Sequence, residues 1–131
     1  MAERDVLHDI REALGLEPDL VLWRNNTGVF DDGRGGKVRT GLGTGSADLV
    51  GILTVTVPEI HFGTVHEYSL GRFFALEVKR NHYHHCRRGR TSEEQDRWLA
   101  LVRTMGGFAS VVRSVQEAKA SLARARRGES Q

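Results

Sequence analysis

Asp48 and the run Glu77-Val78-Lys79 are the residues whose types and spacing best suit chemistry in this chain. Residues two apart on a strand share a face, so Glu77 and Lys79 are expected to project together, about 6–7 Å apart along the strand. Turned away from Leu76 and Val78, they are expected where a buried strand meets solvent. Asp48 follows a glycine-rich stretch and opens the apolar run Leu49-Val50-Gly51-Ile52-Leu53. If the two runs pair, Asp48 and Glu77 converge on one hard cation, for which oxygen ligands favour Mg²⁺ or Mn²⁺. Such a cation polarises a phosphoryl oxygen and lowers the pKa of a bound water. A lysine beside it positions that water and offsets charge developing on the phosphate. A plain ion pair at a strand edge uses the same residue types, because Glu-x-Lys recurs in many sheets.

Positioning these residues requires strands with helices around them. Val6, Leu7, Ile10 and Leu14 fall at helical spacing, so Asp5 to Leu14 reads as an amphipathic helix ended by Gly15 and Pro18. Leu20 to Asn25 reads as a strand, continuous enough in hydrophobicity to be well buried. Gly28, Gly33, Gly35, Gly36, Gly41, Gly43 and Gly45 mark a loop or irregular hairpin around Lys37-Val38-Arg39. Ala47 to Val57 and Arg72 to Lys79 read as two further strands, with residues 58–71 an inserted hairpin or loop turning near Gly63. Ser92-Glu93-Glu94-Gln95 and Ser114-Val115-Gln116-Glu117 both match the capping box that opens a helix. Trp98, Leu99, Val102 and Met105 stripe the first of these helices, and Ala118, Leu122 and Ala125 the second. Phe108 to Val112 between them reads as a short buried strand, and residues 126–131 as a flexible tail. The expected fold is a single α/β domain over residues 1–131, in the order α-β-β-β-α-β-α with a mixed central sheet.

At 131 residues, 39% hydrophobic and 27% charged, the chain suits one globular domain. One cysteine, Cys86, allows no internal disulfide and points to a reducing, cytoplasmic setting. No apolar run approaches the roughly 20 residues that span a bilayer, so no membrane partner is expected. Residues 1–71 hold 6 Lys or Arg against 11 Asp or Glu, and residues 72–131 hold 13 against 6. The basic half, dense from Lys79 to Arg90, reads as a phosphate-facing surface; a solvated basic loop is the plainer reading.

Two further patterns imply less. Gly41-x-Gly43-x-Gly45 lacks both a following helix and a Gly-Lys-Ser/Thr, so no nucleotide cofactor is expected there. His82, His84, His85 and Cys86 crowd into five positions, too close to surround one tetrahedral zinc. The stretch with His61, Phe62, His66 and Tyr68 could contact DNA or a second subunit.

Five segments carry a resemblance to a known family. They are Arg24-Asn25-Asn26-Thr27-Gly28, Gly45-Ser46-Ala47-Asp48-Leu49-Val50-Gly51, Phe74-Ala75-Leu76-Glu77-Val78-Lys79, Ser92-x-x-Gln95 and Gly106-Gly107-Phe108-Ala109-Ser110-Val111-Val112-Arg113-Ser114. In that order, and over about Glu3 to Ala125, the chain closely resembles the VRR-NUC domain of the PD-(D/E)XK nuclease superfamily. The resemblance implies a restriction-endonuclease-like α-β-β-β-α-β core and Mg²⁺-dependent hydrolysis of DNA, with Mn²⁺ as a substitute. It assigns metal binding to Asp48, Glu77 and the backbone carbonyl of Val78, with Glu3 able to join them, and catalysis to Lys79. Gln95 matches the family's glutamine at the start of the helix after the active-site strand, where it can equally close a capping box. Arg24 and Asn26 match its nucleic-acid-facing first-strand segment, though with Asn25 they could simply build a turn. Arg80, Arg87, Arg88 and Arg90, just past the active-site strand, are expected near flanking phosphates. Small stand-alone members, bacterial or phage-encoded, resemble Holliday-junction resolvases, which implies branched DNA as substrate and a homodimer. A non-catalytic basic DNA-binding module is the alternative.

Overall fold

A computed structural model describes residues 3–80 and 91–131, with side chains described from Val6 onward. Helix α1 (Glu3–Leu14) leads into strand β1 (Leu20–Arg24), the short strands β2 (Gly28–Asp31) and β3 (Lys37–Thr40), and the long strands β4 (Leu49–His61) and β5 (Thr64–Val78). Helix α2 (Glu93–Thr104), strand β6 (Phe108–Val112) and helix α3 (Val115–Arg126) complete the chain. A four-stranded sheet runs β1-β4-β5-β6, and β2 with β3 forms a separate two-stranded hairpin. β1–β4 and β4–β5 pair antiparallel, whereas β5–β6 pairs parallel, so the sheet is mixed. The expected α/β class and the order of its main elements describe this sheet, with the β2–β3 hairpin added inside the glycine-rich stretch.

The two sheet faces are covered differently, and this positions everything that follows. On one face Leu49, Leu53, Phe74, Leu76, Val78, Phe108 and Val112 pack against Ile10 and Leu14 of α1 and Leu122 and Ala125 of α3. Phe74 and Phe108 stack there with centroids 5.3 Å apart, and truncating either to alanine would cost about 3–5 kcal/mol. On the other face a smaller cluster of Ala47, Val50, Ala75 and Ala109 packs under Leu99 of α2. Covered from both sides, β5 is buried at every position from Phe74 to Val78.

Three expectations need correction. β1 is an edge strand rather than a buried one: Val21 and Trp23 lie on the same sheet face as Val50 but outside the cover of α2, and are about half exposed. Met105 stands exposed past the end of α2, whose buried stripe is carried by Leu99. Glu117 accepts the N–H of Arg113 rather than that of Ser114, so the second capping box is only half made. Beyond α3 the chain turns back, and Ala109 donates its N–H to the Ser130 carbonyl at 3.1 Å.

Residues 58–71 form the far end of one continuous β4–β5 hairpin, paired without interruption to His61↔Thr64. Phe62 and Gly63 make its two-residue turn, both with positive φ (50° and 80°). Among the described residues no helix is long and apolar enough to cross a membrane.

Many arginines of the basic half serve the fold rather than a surface. Arg72 donates to the carbonyls of Gly106, Gly107 and Ala125, satisfying groups at the ends of α2 and α3. Arg103 donates to the Ala109 carbonyl, and Arg126 pairs with Glu17 and Asp19. The Arg126 guanidinium holds the Asp19 carboxyl below its ordinary range.

Candidate active site

The β4–β5 ladder ends at Leu49↔Leu76, which places Asp48 directly across from Glu77, one step beyond the last pair. The strand alternation then puts Asp48, Glu77 and Lys79 on the α2 face of the sheet, in line with Val50 and Ala75. Asp48 is fixed by two bonds. Its Oδ2 accepts the N–H of Val78 at 2.8 Å, and its backbone carbonyl accepts the N–H of Asn25 at the same distance. In extended backbone a residue's C=O points to the same side as its N–H, so the Val78 carbonyl also points toward Asp48.

Glu77 does not sit where the strand meets solvent. Its side chain is 3% exposed and that of Lys79 is 14% exposed, because α2 crosses this face and closes over them. Lys79 Nζ approaches Glu77 Oε1 at 3.3 Å, and Gln95 Nε2 donates to the same oxygen at 2.9 Å. Oε2 is buried and meets no hydrogen-bond partner among the described residues. Burial, reinforced by the negative charge of Asp48 and opposed by Lys79, pushes the Glu77 carboxyl up to about 8.

Gln95 has two partners because its place in α2 demands both. Ser92 Oγ accepts the N–H of Gln95, and Gln95 Oε1 accepts the N–H of Ser92 at 2.9 Å, a complete capping box. With its oxygen committed to the cap, the amide nitrogen is left to reach Glu77. The cap thereby orients the glutamine, and the glutamine orients the acid.

Asn25 is a second organiser that the sequence reading left divided between turn and ligand. Its Nδ2 donates to Ser46 Oγ and the Ala47 carbonyl at 2.8 and 2.9 Å, and its Oδ1 accepts the N–H of Leu42. It thus ties the glycine-rich loop before Asp48 to the end of β1. Arg24 and Asn26 are exposed on either side of it, and the Asn26 carbonyl accepts the Thr40 hydroxyl. Arg80 follows Lys79 and is exposed. The Glu3 side chain, Arg87, Arg88 and Arg90, and His82, His84, His85 and Cys86 lie outside the described residues.

No protein-family model matches the chain, and no curated protein matches it in sequence. The chemistry of the site therefore has to be read from its own residues.

Among the described residues no three His, Cys, Asp or Glu side chains gather. The site offers two carboxylates and the backbone carbonyl of Val78, all oxygen donors. A buried carboxylate oxygen without a donor costs free energy unless it carries a proton or faces a cation. Glu77 Oε2 has that need, and hard divalent cations suit such a donor set. The residues present fit Mg²⁺ or Mn²⁺.

Proposed function

We propose that this chain is a metal-dependent endonuclease of the PD-(D/E)XK type, similar to VRR-NUC domains, that hydrolyses phosphodiester bonds in DNA. The observation that carries the reading is the buried, donorless Oε2 of Glu77 facing Asp48, with a lysine held on the neighbouring oxygen. Asp48, Glu77 and the Val78 carbonyl would hold the cation, which supplies Lewis acidity and an acidified water. Lys79, kept in place by Glu77, offsets the negative charge that builds on the phosphate as the bond breaks. Gln95 holds Glu77 in the orientation that leaves Oε2 free.

We further propose that the chain works as a homodimer, a state that suits branched, Holliday-junction-like DNA with its two equivalent strands. Residues 54–71 contain no Lys or Arg but include Glu59 and Glu67, a poor surface for phosphate. Ile60, Phe62 and Val65 are exposed near the tip. At about 3.3 Å per residue the tip lies on the order of 45 Å along β5 from Glu77, well away from the candidate reaction centre. A second copy of the chain is the occupant that these features favour.

The test is a cleavage panel on single-stranded, duplex, flap and four-way DNA with Mg²⁺, Mn²⁺ or EDTA. Cleavage with either cation, none in EDTA, and none by Asp48→Asn is the expected result. Salt-sensitive binding with no cleavage of any substrate would make the chain a non-catalytic DNA-binding module.

A further inference from the structure

A cleft of about 260 Å³ opens between the β2–β3 hairpin and the loop that leads to Asp48. Its walls include Thr27, Gly28, Arg39, Thr40, Thr44 and Gly45. We propose that this cleft is a backbone subsite for a nucleic-acid strand, in which Arg39 and the hydroxyls of Thr27 and Thr44 hold one phosphate.

The lining selects the ligand class. It contains one guanidinium, three hydroxyls, several glycine backbones and the apolar side chain of Val29, and it has no carboxylate to repel or neutralise an anion. Arg39 enters none of the ion pairs among the described residues. No aromatic side chain lines the cleft, so nothing there stacks a base, and a flipped nucleobase is a poor fit. The volume falls below the roughly 300–1,000 Å³ of pockets that enclose whole small molecules. One sugar–phosphate unit of a longer strand matches this size and openness better than a free nucleotide does. Arginine is the side chain best shaped for such a group.

The cleft is also built, and built onto the candidate active site. Ser46 donates its hydroxyl to the Gly43 carbonyl at 2.6 Å and accepts Asn25 Nδ2, which fixes the loop wall. Thr40 donates its hydroxyl to the Asn26 carbonyl and fixes the hairpin wall. Gly45, with φ of 82°, packs so closely on the first turn of α2 that a Cβ would come within 2.6 Å of the Glu94 carbonyl oxygen. That turn also carries Gln95. Asp48 follows Gly45 by three residues, at most about 11 Å of chain. The cleft wall and Asp48 are thus close enough for one strand to reach both, a few nucleotides apart. This placement rests on the reading of Asp48 and Glu77 as the phosphodiester site. Arg39 was not among the arginines that the sequence nominated, because its place in a cleft depends on the fold of the glycine-rich stretch.

The experiment measures binding of a 20-base-pair duplex and of one of its strands in Ca²⁺, over a series of salt concentrations. The proteins are wild type, Arg39→Gln, Thr44→Val and, as a control of equal charge, Arg11→Gln on the α1 face. Arg39→Gln should flatten the log–log salt slope by about 0.9 on duplex or about 0.7 on single strand, with Arg11→Gln leaving it unchanged. Thr44→Val should weaken binding severalfold at constant slope. A slope for Arg39→Gln equal to wild type overturns the subsite, whether or not the protein cleaves DNA. A slope lost in Arg39→Gln while wild type never cleaves would keep the subsite and overturn the nuclease reading instead.

Discussion

Gln95 donates its side-chain amide to Glu77 Oε1 at 2.9 Å from a helix N-terminus that the same side chain closes. Cap and site are one hydrogen-bond chain, so damage to either should register in both. Gln95→Ala should cost about 1 kcal/mol of stability and also weaken Mg²⁺ or Mn²⁺ binding. Gln95→Glu keeps a cap acceptor but loses the donor to Glu77, so cation binding should change with stability largely kept. Thermal unfolding with and without Mn²⁺ separates the two effects; equal loss of both in the two variants would refute the linkage.

Replacing the acids should separate chemistry from binding. Asp48→Asn or Glu77→Gln is expected to abolish cation-dependent cleavage. DNA binding in EDTA should become equal or tighter in Asp48→Asn, which removes a carboxylate facing phosphate, and stay unchanged in Glu77→Gln below about pH 8, where Glu77 is already neutral. Single-turnover assays beside binding curves check this, and a wild-type cleavage rate in either variant would remove the pair from the mechanism.

The raised pKa of Glu77 has a definite sign. Its carboxyl is neutral in the folded protein up to about pH 8, whereas in the unfolded chain it ionises near its ordinary value. Metal-free wild type should therefore lose stability relative to Glu77→Gln as pH rises from the ordinary carboxylate range to about 8, and the difference should level off above that. A cation must displace this proton, so its affinity should climb over the same interval. Calorimetry in buffers of different ionisation enthalpy would count the proton released; a count of zero at pH 7 would contradict the assignment.

Lys79→Ala should lower the single-turnover rate by two orders of magnitude or more and change DNA affinity little, since its charge matters most in the transition state. The variant also strips Glu77 of its contact with the Lys79 ammonium, so Lys79→Arg is a useful companion that keeps the charge. A pure loss of affinity would make Lys79 an ordinary phosphate contact.

Phe62 stands bare at the arm tip with φ of 50°, a conformation costly for an aromatic residue. Phe62→Asn supplies the residue that such a two-residue turn prefers, and should stabilise the monomer by about 1 kcal/mol. If the arm docks on a second copy, the same change should weaken self-association, which sedimentation measures. Stability gained with no change in association would leave the arm without the proposed partner.

Local signals were legible in the sequence and long-range cover was not. Ser92 and Gln95 announced a helix start because capping needs only four residues, and the parity of Glu77 and Lys79 put them on one face without any knowledge of the sheet. β1 was misread because Leu20-Val21-Leu22-Trp23 is apolar enough for a central strand, and only the sheet order shows it to be an edge. The burial of Glu77 escaped because it depends on α2 lying across the strand. The bonds that Arg72 and Arg126 make were not legible, since partners such as Ala125 and Asp19 are 53 and 107 positions away.

The absence of a side chain at Gly45 leaves the loop and the first turn of α2 in direct backbone contact, so neither can shift without moving the other. One side of that contact walls the Arg39 cleft, and the other carries the glutamine that aims Glu77. A strand seated in the cleft and a cation seated at the carboxylates would then each favour the arrangement that the other needs. Thermodynamic reciprocity makes such cooperation mutual: whatever factor DNA adds to cation affinity, the cation adds to DNA affinity. On the nuclease reading proposed above, the reactive arrangement would form chiefly on substrate, and the site would stay quiet when no strand is present.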